Sequence, residues 1–318
     1  MKILIAGAGA MACLTGGKLK ASGEDVRLYN RLNSHVETIN KQGLRLVEKD
    51  NSVTQIDLEI VQDLQADEPV DVLLVLLKAQ ANEAVLSKLR NKLAKETVIV
   101  TMQNGIGNAD TIQQLFPNNT VVSGTLGHGA SVEHDGTILH RGWGVNYLGN
   151  VEDGFANKML EAFAEKLSKA GMKTEVSQDV NAVIWNKLFV NAAFNSVTAL
   201  TRLKNGDILN TPEGEDLLRA VTAEAVLVAR AEGVDADVEA VVEECLRMGR
   251  QDIGGNKSSM LMDILKKRQT EIDVINGGIV KLGEKHGIET PVNAALSGLI
   301  RIIEQNYKLR VDEPSIQK

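Results

Sequence analysis

Lys187, Asn191 and Asn195 stand four residues apart in the segment IWNKLFVNAAFNSVTAL, residues 184–200. On a helix, side chains at i, i+4 and i+8 share a face. One ammonium and two carboxamides therefore form a stripe among Trp185, Leu188, Phe189, Val190 and Phe194. Burying an amide without a partner costs about 2–7 kcal/mol, so such a stripe suits the wall of a polar cleft that takes a polar ligand. An ammonium there is a proton donor, and neutral amides hold carboxylates and hydroxyls without adding opposing charge. On this segment alone, a snorkelling surface lysine and two solvated asparagines would read the same way.

A second cluster lies at the start of the chain. Gly7-Ala8-Gly9-Ala10-Met11-Ala12 is a G-x-G-x-x-A pattern directly after an apolar run and ahead of a helical one. Gly7 permits a tight turn, Gly9 lets backbone approach a pyrophosphate, and Ala12 allows close helix packing. The free N–H groups of the following helix start favour phosphate. At the end of the second strand stands Tyr29-Asn30-Arg31, with no carboxylate for a ribose 2′-hydroxyl. A guanidinium suits a 2′-phosphate, so the cofactor expected is NADP(H). Lys78 closes the run at 72–77, and Asn104, in QNGIG, follows another strand. Both lie at the carboxyl edge where such sheets bind ligands, although an Asn-Gly pair by itself is also a common turn.

The elements that would carry these groups change character along the chain. Up to about residue 177, short apolar runs at 2–6, 26–29, 72–77, 98–102, 121–123 and 145–148 read as strands. Helical patterns at 11–21, 82–93, 110–115 and 158–170 alternate with them, which predicts a doubly wound α/β sheet of Rossmann type. From 178 to 318 helical periodicity dominates, at 182–200, 213–232, 238–248, 260–282 and 293–308. The expected organisation is a nucleotide-binding domain over 1–177 and a helical substrate domain over 178–318.

Bulk properties narrow the function class. The 318 residues fit about two domains of ~150 residues. Net charge is −7, which gives no broad basic field for nucleic acid or anionic membrane. No apolar run reaches the ~20 residues of a membrane helix, and the glycines at 7 and 9 interrupt what would otherwise pass for a secretory leader. Cys13 and Cys245 are the only cysteines, without metal-ligand spacing, so no metal and a reducing, cytoplasmic setting are expected. The reading is of a monomer or homodimer acting on a small molecule.

Taken together, these motifs resemble the ketopantoate reductase (2-dehydropantoate 2-reductase) family over nearly the whole chain. The carriers are GAGAMA, Arg31, LLKAQ with Lys78, QNGIG with Asn104, GTLGHGA ending at Ala130, WNKLFVNAAFNSVTAL, Asn205-Gly206 and SSMLMDILKKRQTEIDVING. The resemblance implies a helical C-terminal domain like that of 6-phosphogluconate dehydrogenase and NADPH-dependent reduction of 2-dehydropantoate to (R)-pantoate, in pantothenate and coenzyme A biosynthesis. It makes Lys187 the proton donor and Asn191, Asn195, Asn205 and Ser259 substrate-binding residues. Asn104 would serve cofactor and substrate, with Ala130 and Glu271 near the nicotinamide end and Glu271 beside Lys187 on the helix 260–282. The sequence departs from the family pattern at Ala12, where a third glycine is common, after Lys78, where an aromatic is often found, and in GTLGHGA, against a commoner THAA.

The chemistry agrees with this assignment. Hydride arriving at a ketone creates an alkoxide that needs a proton, and a partly desolvated lysine can supply it. One alternative is a D-2-hydroxyacid dehydrogenase of the same fold, acting on another branched or aromatic 2-oxo acid. 3-Hydroxyacid dehydrogenases also carry a Lys-x-x-x-Asn helix, but after a glycine-rich turn that 179–183 lack. A non-catalytic nucleotide sensor is the remaining alternative, and the retained polar set argues against it.

Overall fold

The computed structural model describes residues 1–65 and 68–309. Its contacts divide into two units, Met1–Gln103 with Gly107–Ile184, and Asn104–Ile106 with the chain from Trp185 onward.

The first unit is built on strands β1 (Lys2–Ala6), β2 (Asp25–Tyr29), β3 (Leu44–Val47), β4 (Val53–Ile56), β5 (Ile60–Val61), β6 (Val72–Val75), β7 (Val98–Thr101), β8 (Val121–Thr125), β9 (Gly129–His134), β10 (Thr137–Gly142), β11 (Asn146–Gly149) and β12 (Thr174–Ser177). Helices α1 (Ala10–Ala21), α2 (Ser34–Gln42), α3 (Asn82–Leu86), α4 (Asn108–Leu115) and α5 (Gly154–Lys169) connect them. Eight strands form one sheet in the order β12-β11-β8-β7-β6-β1-β2-β5, parallel from β8 through β5 and antiparallel between β8 and β11. β6 and β7 are buried along their full length, as strands covered on both faces must be. The sheet alternating with helices, followed by an all-helical stretch, is the fold class expected from the sequence.

A second sheet, ordered β4-β3-β10-β9, went unread in the sequence. Its strands are short and half-buried, and β9 (GASVEH) carries almost no apolar periodicity. β3 and β10 pair across a long stretch of chain, Leu46 beside Ile138, and β4 and β9 are added by local pairing with β3 and β10. β12 was missed for the same reason. The helix expected over 82–93 stops at Leu86 and continues as turns.

The second unit contains most of α6 (Val180–Thr201), then α7 (Pro212–Ala231), α8 (Val238–Gln251), α9 (Ser259–Leu265), α10 (Asn276–His286) and α11 (Pro291–Gln305). Trp185, Leu188, Phe189, Ala192 and Phe194 of α6 are buried in a core shared with Val221, Val226, Leu246, Ile264 and Ile279. Burying one large apolar side chain contributes about 1.5–3 kcal/mol, so α6 is among the most firmly held elements. A buried polar chain fixes its register. Asn276 Nδ2 donates to Ala192 O at 3.1 Å and to Asn293 Oδ1 at 2.9 Å, and Asn293 Nδ2 donates to Val221 O at 3.1 Å.

One expectation is corrected. The pattern read as a continuous helix over 260–282 is two helices, α9 and α10, and Glu271 sits in the connection between them. Lys267 in that connection has a left-handed φ of 52°, which no continuous helix accommodates. Apolar periodicity alone does not report such a break.

Candidate active site

In the first unit, parallel pairing sets Ala6 opposite both Tyr29 and Val75. Gly7, Asn30-Arg31 and Leu76–Lys78 therefore leave the sheet at one carboxyl edge. Gly7 has φ +120°, and a Cβ there would lie 3.0 Å from Leu76 O. Gly9 caps α1 with no side-chain hydrogen bond, and a Cβ on it would meet nothing within 4 Å. A helix start with no side-chain cap and open space in front of it is a natural anion site. Ala8 and Ala12 are buried, Ala10 and Met11 part-buried, and Gly9 exposed.

Close approach of α1 to the sheets depends on more than Ala12. Cβ atoms on Gly16 and Gly17 would come within 2.5 Å of Leu28 Cδ1 and 2.7 Å of Leu44 Cδ2. Arg31 is exposed, and its carbonyl accepts from Asn30 Nδ2 at 2.8 Å. Lys78 is part-buried ahead of the 3-10 turn Ala79–Ala81. Gln103, which sequence reading passed over, donates from Nε2 to Leu77 O at 2.6 Å and to Asn82 Oδ1 at 2.8 Å. It thus ties the end of β7 to the residue before Lys78; the only sequence signal was its place at a strand end. Ala130 is part-buried in β9, paired with His140 of β10.

In the second unit, α6 presents the stripe. Lys187 and Asn191 are part-buried, and Asn195 is buried. Burial pushes the Lys187 ammonium down to about 8, with the Glu271 carboxylate pulling the other way. Glu271 accepts from Asn104 Nδ2 at 3.0 Å. The Asn104 turn is itself clamped, with Ile106 N donating to Val274 O at 2.9 Å. Lys187, Glu271 and Asn104 thus form one electrostatic group assembled from three distant stretches of chain. Among the described residues, neither the Asn191 nor the Asn195 amide makes a side-chain hydrogen bond to the protein.

Asn205 and Ser259 are set by loop packing. Asn205 is buried, with its Nδ2 donating to Ile253 O at 3.2 Å and its Oδ1 without a partner among the described residues. Ser259 is exposed at the first residue of α9. Ser258, another residue the sequence reading gave no role, caps α9 and bonds Thr198 Oγ1 of α6 at 2.6 Å. That bond fixes where Ser259 begins. The two cysteines are buried, and burial pushes both thiols up to about 12, so neither is a nucleophile. Among the described residues no cluster of His, Cys, Asp and Glu could hold a metal ion, and no helix is long and apolar enough to cross a membrane.

Comparison with known proteins decides the family. Residues 3–153 match the family described as Ketopantoate reductase PanE/ApbA, and residues 179–304 match its C-terminal part. The chain belongs to the ketopantoate reductase family. This bears out the resemblance read from its motifs and puts the chain in a family of oxidoreductases. A 2-dehydropantoate 2-reductase of Archaeoglobus fulgidus is 34% identical over 95% of this chain and 98% of its own length. One from Halobacterium salinarum is 29% identical over 96% of this chain and all of its own, 100%. Among solved structures, a PanE/ApbA family ketopantoate reductase from Ralstonia eutropha is similar, with a TM-score of 0.87 at 31% identity, covering 97% of this chain and 100% of that one. D-Mandelate dehydrogenase with NADH and anilino(oxo)acetate is similar with a TM-score of 0.90 at 29% identity, over 97% of this chain and 100% of that one.

Proposed function

We propose that this chain is an NADPH-dependent reductase that converts 2-dehydropantoate to (R)-pantoate, the compound that feeds pantothenate and coenzyme A synthesis. Lys187 carries the reading: a part-buried ammonium lowered to about 8, with Glu271 acting on its charge. In this reading residues 1–177 bind the nucleotide and 178–318 bind the 2-oxo acid.

The glycine turn fits a dinucleotide. Gly9 leaves open the space that a side chain would fill, and α1 has no side-chain cap to compete for its N–H groups. Gly7, Ala8, Gly9, Ala10, Met11 and Ala12 would hold the pyrophosphate, with Arg31 and Lys78 toward the adenosine phosphate and Ala130 toward the nicotinamide. When bound, the reduced nicotinamide supplies the hydride. Lys187 gives a proton to the carbonyl oxygen as it gains charge. Glu271 keeps the ammonium in place and, through Asn104, orients the bound groups. Asn191, Asn195, Asn205 and Ser259 hold the carboxylate and hydroxyl of the substrate.

Steady-state turnover of 2-dehydropantoate, 2-oxoisovalerate and phenylpyruvate, each with NADPH and NADH, tests the reading. 2-Dehydropantoate with NADPH should give the highest kcat/KM. The similarity to D-mandelate dehydrogenase favours a second reading, a D-2-hydroxyacid dehydrogenase. A preference for phenylpyruvate with NADH would select it.

Two further results are expected. Arg31→Ala should raise the KM for NADPH while leaving that for NADH nearly unchanged, because a charge-assisted phosphate contact is lost. Equal effects on both nucleotides would put Arg31 outside the phosphate site. As proton donor, Lys187 must be protonated for reduction, so reductive turnover should fall as pH rises through about 8. Oxidation of the hydroxy acid needs the neutral amine and should rise over the same interval. A profile flat from pH 7 to 9 in both directions would remove Lys187 from the proton transfer.

A further inference from the structure

A chain of polar side chains in the first unit has no part in the chemistry above. Lys18 of α1 forms an ion pair with Glu48 Oε1, just past β3. Glu48 Oε2 lies 2.7 Å from His140 Nδ1 on β10, and His140 Nε2 lies 2.9 Å from His128 Nδ1 in the β8–β9 connection. His140 is only 3% exposed, between the His128 ring at 5.2 Å and the Trp143 ring at 4.3 Å. Lys49 Nζ lies over the ring of that tryptophan, 5.9 Å from its centroid. The far nitrogen, His128 Nε2, is buried with no hydrogen-bond partner among the described residues.

That orphan nitrogen decides where the protons sit. In one arrangement His140 donates from Nδ1 to Glu48 and accepts at Nε2 from the Nδ1–H of His128, leaving His128 Nε2 a bare lone pair. In the other, a doubly protonated His140 donates to His128, whose own proton must then sit on Nε2. The second arrangement buries an N–H donor with nothing to accept it and sets two cations, Lys18 and His140, on one carboxylate. Both features cost free energy. The first keeps one cation for one anion, so the network assigns the Nδ1–H tautomer to His128.

We propose that Glu48, His140 and His128 are positioning residues for the nucleotide site. The relay joins α1, which starts at the glycine turn, to the connection that leads two residues later into Ala130, itself paired with His140 across β9 and β10. Through the fixed tautomer of His128 it holds these two stretches in register. The inference rests on the proposed nucleotide-binding role of both. Acid pH should undo it. Burial, then His140 and Lys18, hold the His128 imidazole below its ordinary value of 6.5 against the opposing pull of Glu48. Protonating it would place an N–H on the orphan nitrogen.

The test is fluorescence titration of the full-length protein with NADPH and NADH, using two variants. His128→Asn keeps an N–H where Nδ1–H was, whereas His128→Leu fills the volume without a donor. The leucine variant should weaken both nucleotides alike by about tenfold, with the KM for the 2-oxo acid unchanged at saturating NADPH. The asparagine variant should keep most of the affinity and lack the decline expected of wild type at acid pH. Nitrogen-15 NMR of histidine-labelled wild type should find His128 protonated on Nδ1, which keeps the proposal falsifiable should the leucine variant not fold. Equal losses in the two variants, or a His128 proton on Nε2, would overturn it. Wild-type protein that binds neither nucleotide would sink the proposed function itself, and with it any nucleotide for the relay to position.

Discussion

Lys187→Ala should lower the turnover number by about 10²–10⁴, the range for losing a general acid. Nicotinamide nucleotide affinity should hardly change, since the stripe belongs to the substrate in the proposed mechanism. The loss in kcat should exceed that of Asn195→Ala, which removes a binding contact and so mainly raises the KM for the 2-oxo acid. Stability points the other way. Lys187 is held by burial at about 8, so its folded form gives up protons more readily than the unfolded chain, and removing it should not destabilise α6. Alanine is also the better helix former. A Lys187→Ala enzyme with near-normal turnover and normal folding would end the mechanism and return the stripe to an ordinary helix face.

Gly105→Ala should be the most damaging small substitution near the site. Gly105 has φ +83°, and a Cβ on it would fall 2.2 Å from Val274 O, inside any permitted contact with backbone. Left-handed backbone adds about 1–2 kcal/mol for a residue with a Cβ, and forcing an atom into a packed place adds about 1–3 kcal/mol. The variant should therefore lose roughly 2–5 kcal/mol, a large share of a typical folding free energy of about 5–15 kcal/mol. It should also lose turnover, because the same turn carries Asn104 to Glu271. Gly107→Ala is the internal comparison: Gly107 has φ +82° but nothing within 4 Å of its Cβ, so only the backbone strain remains. Denaturant melts that rank the two variants equally would show that the Val274 contact does not constrain the turn.

These two expectations draw on different kinds of information. Lys187, Asn191 and Asn195 were legible because the signal is local: a helix of known period puts them on one face, and apolar neighbours show which face is buried. The glycine turn was legible for the same reason, since strand, turn and helix follow one another within twelve residues. The second sheet was not. β3 and β10 are joined by a pairing between distant stretches, Leu46 with Ile138, β4 and β9 depend on those two strands, and the patterns of all four are too polar and short to declare a strand. The relay of Lys18, Glu48, His140 and His128 exists only because that sheet forms.

Glu271 marks the boundary between the two kinds of information. Its residue type and its distance along the chain from Ser259 were visible in the sequence, but its local structure was misread, because a helix break between two amphipathic helices leaves the apolar periodicity almost intact. Its partnership with Asn104 joins residues 167 positions apart, and no local pattern encodes a contact at that separation. The sequence by itself determined which groups could do chemistry and, for the stripe and the glycine turn, which helix or turn bears them, because propensity and periodicity act over a few residues. Only the tertiary structure decided that burial lowers the Lys187 ammonium, that Glu271 opposes this, that Ser258 bonds Thr198 and that Gln103 ties the end of β7 to Leu77, because desolvation and long-range hydrogen bonds depend on what the rest of the chain brings into place.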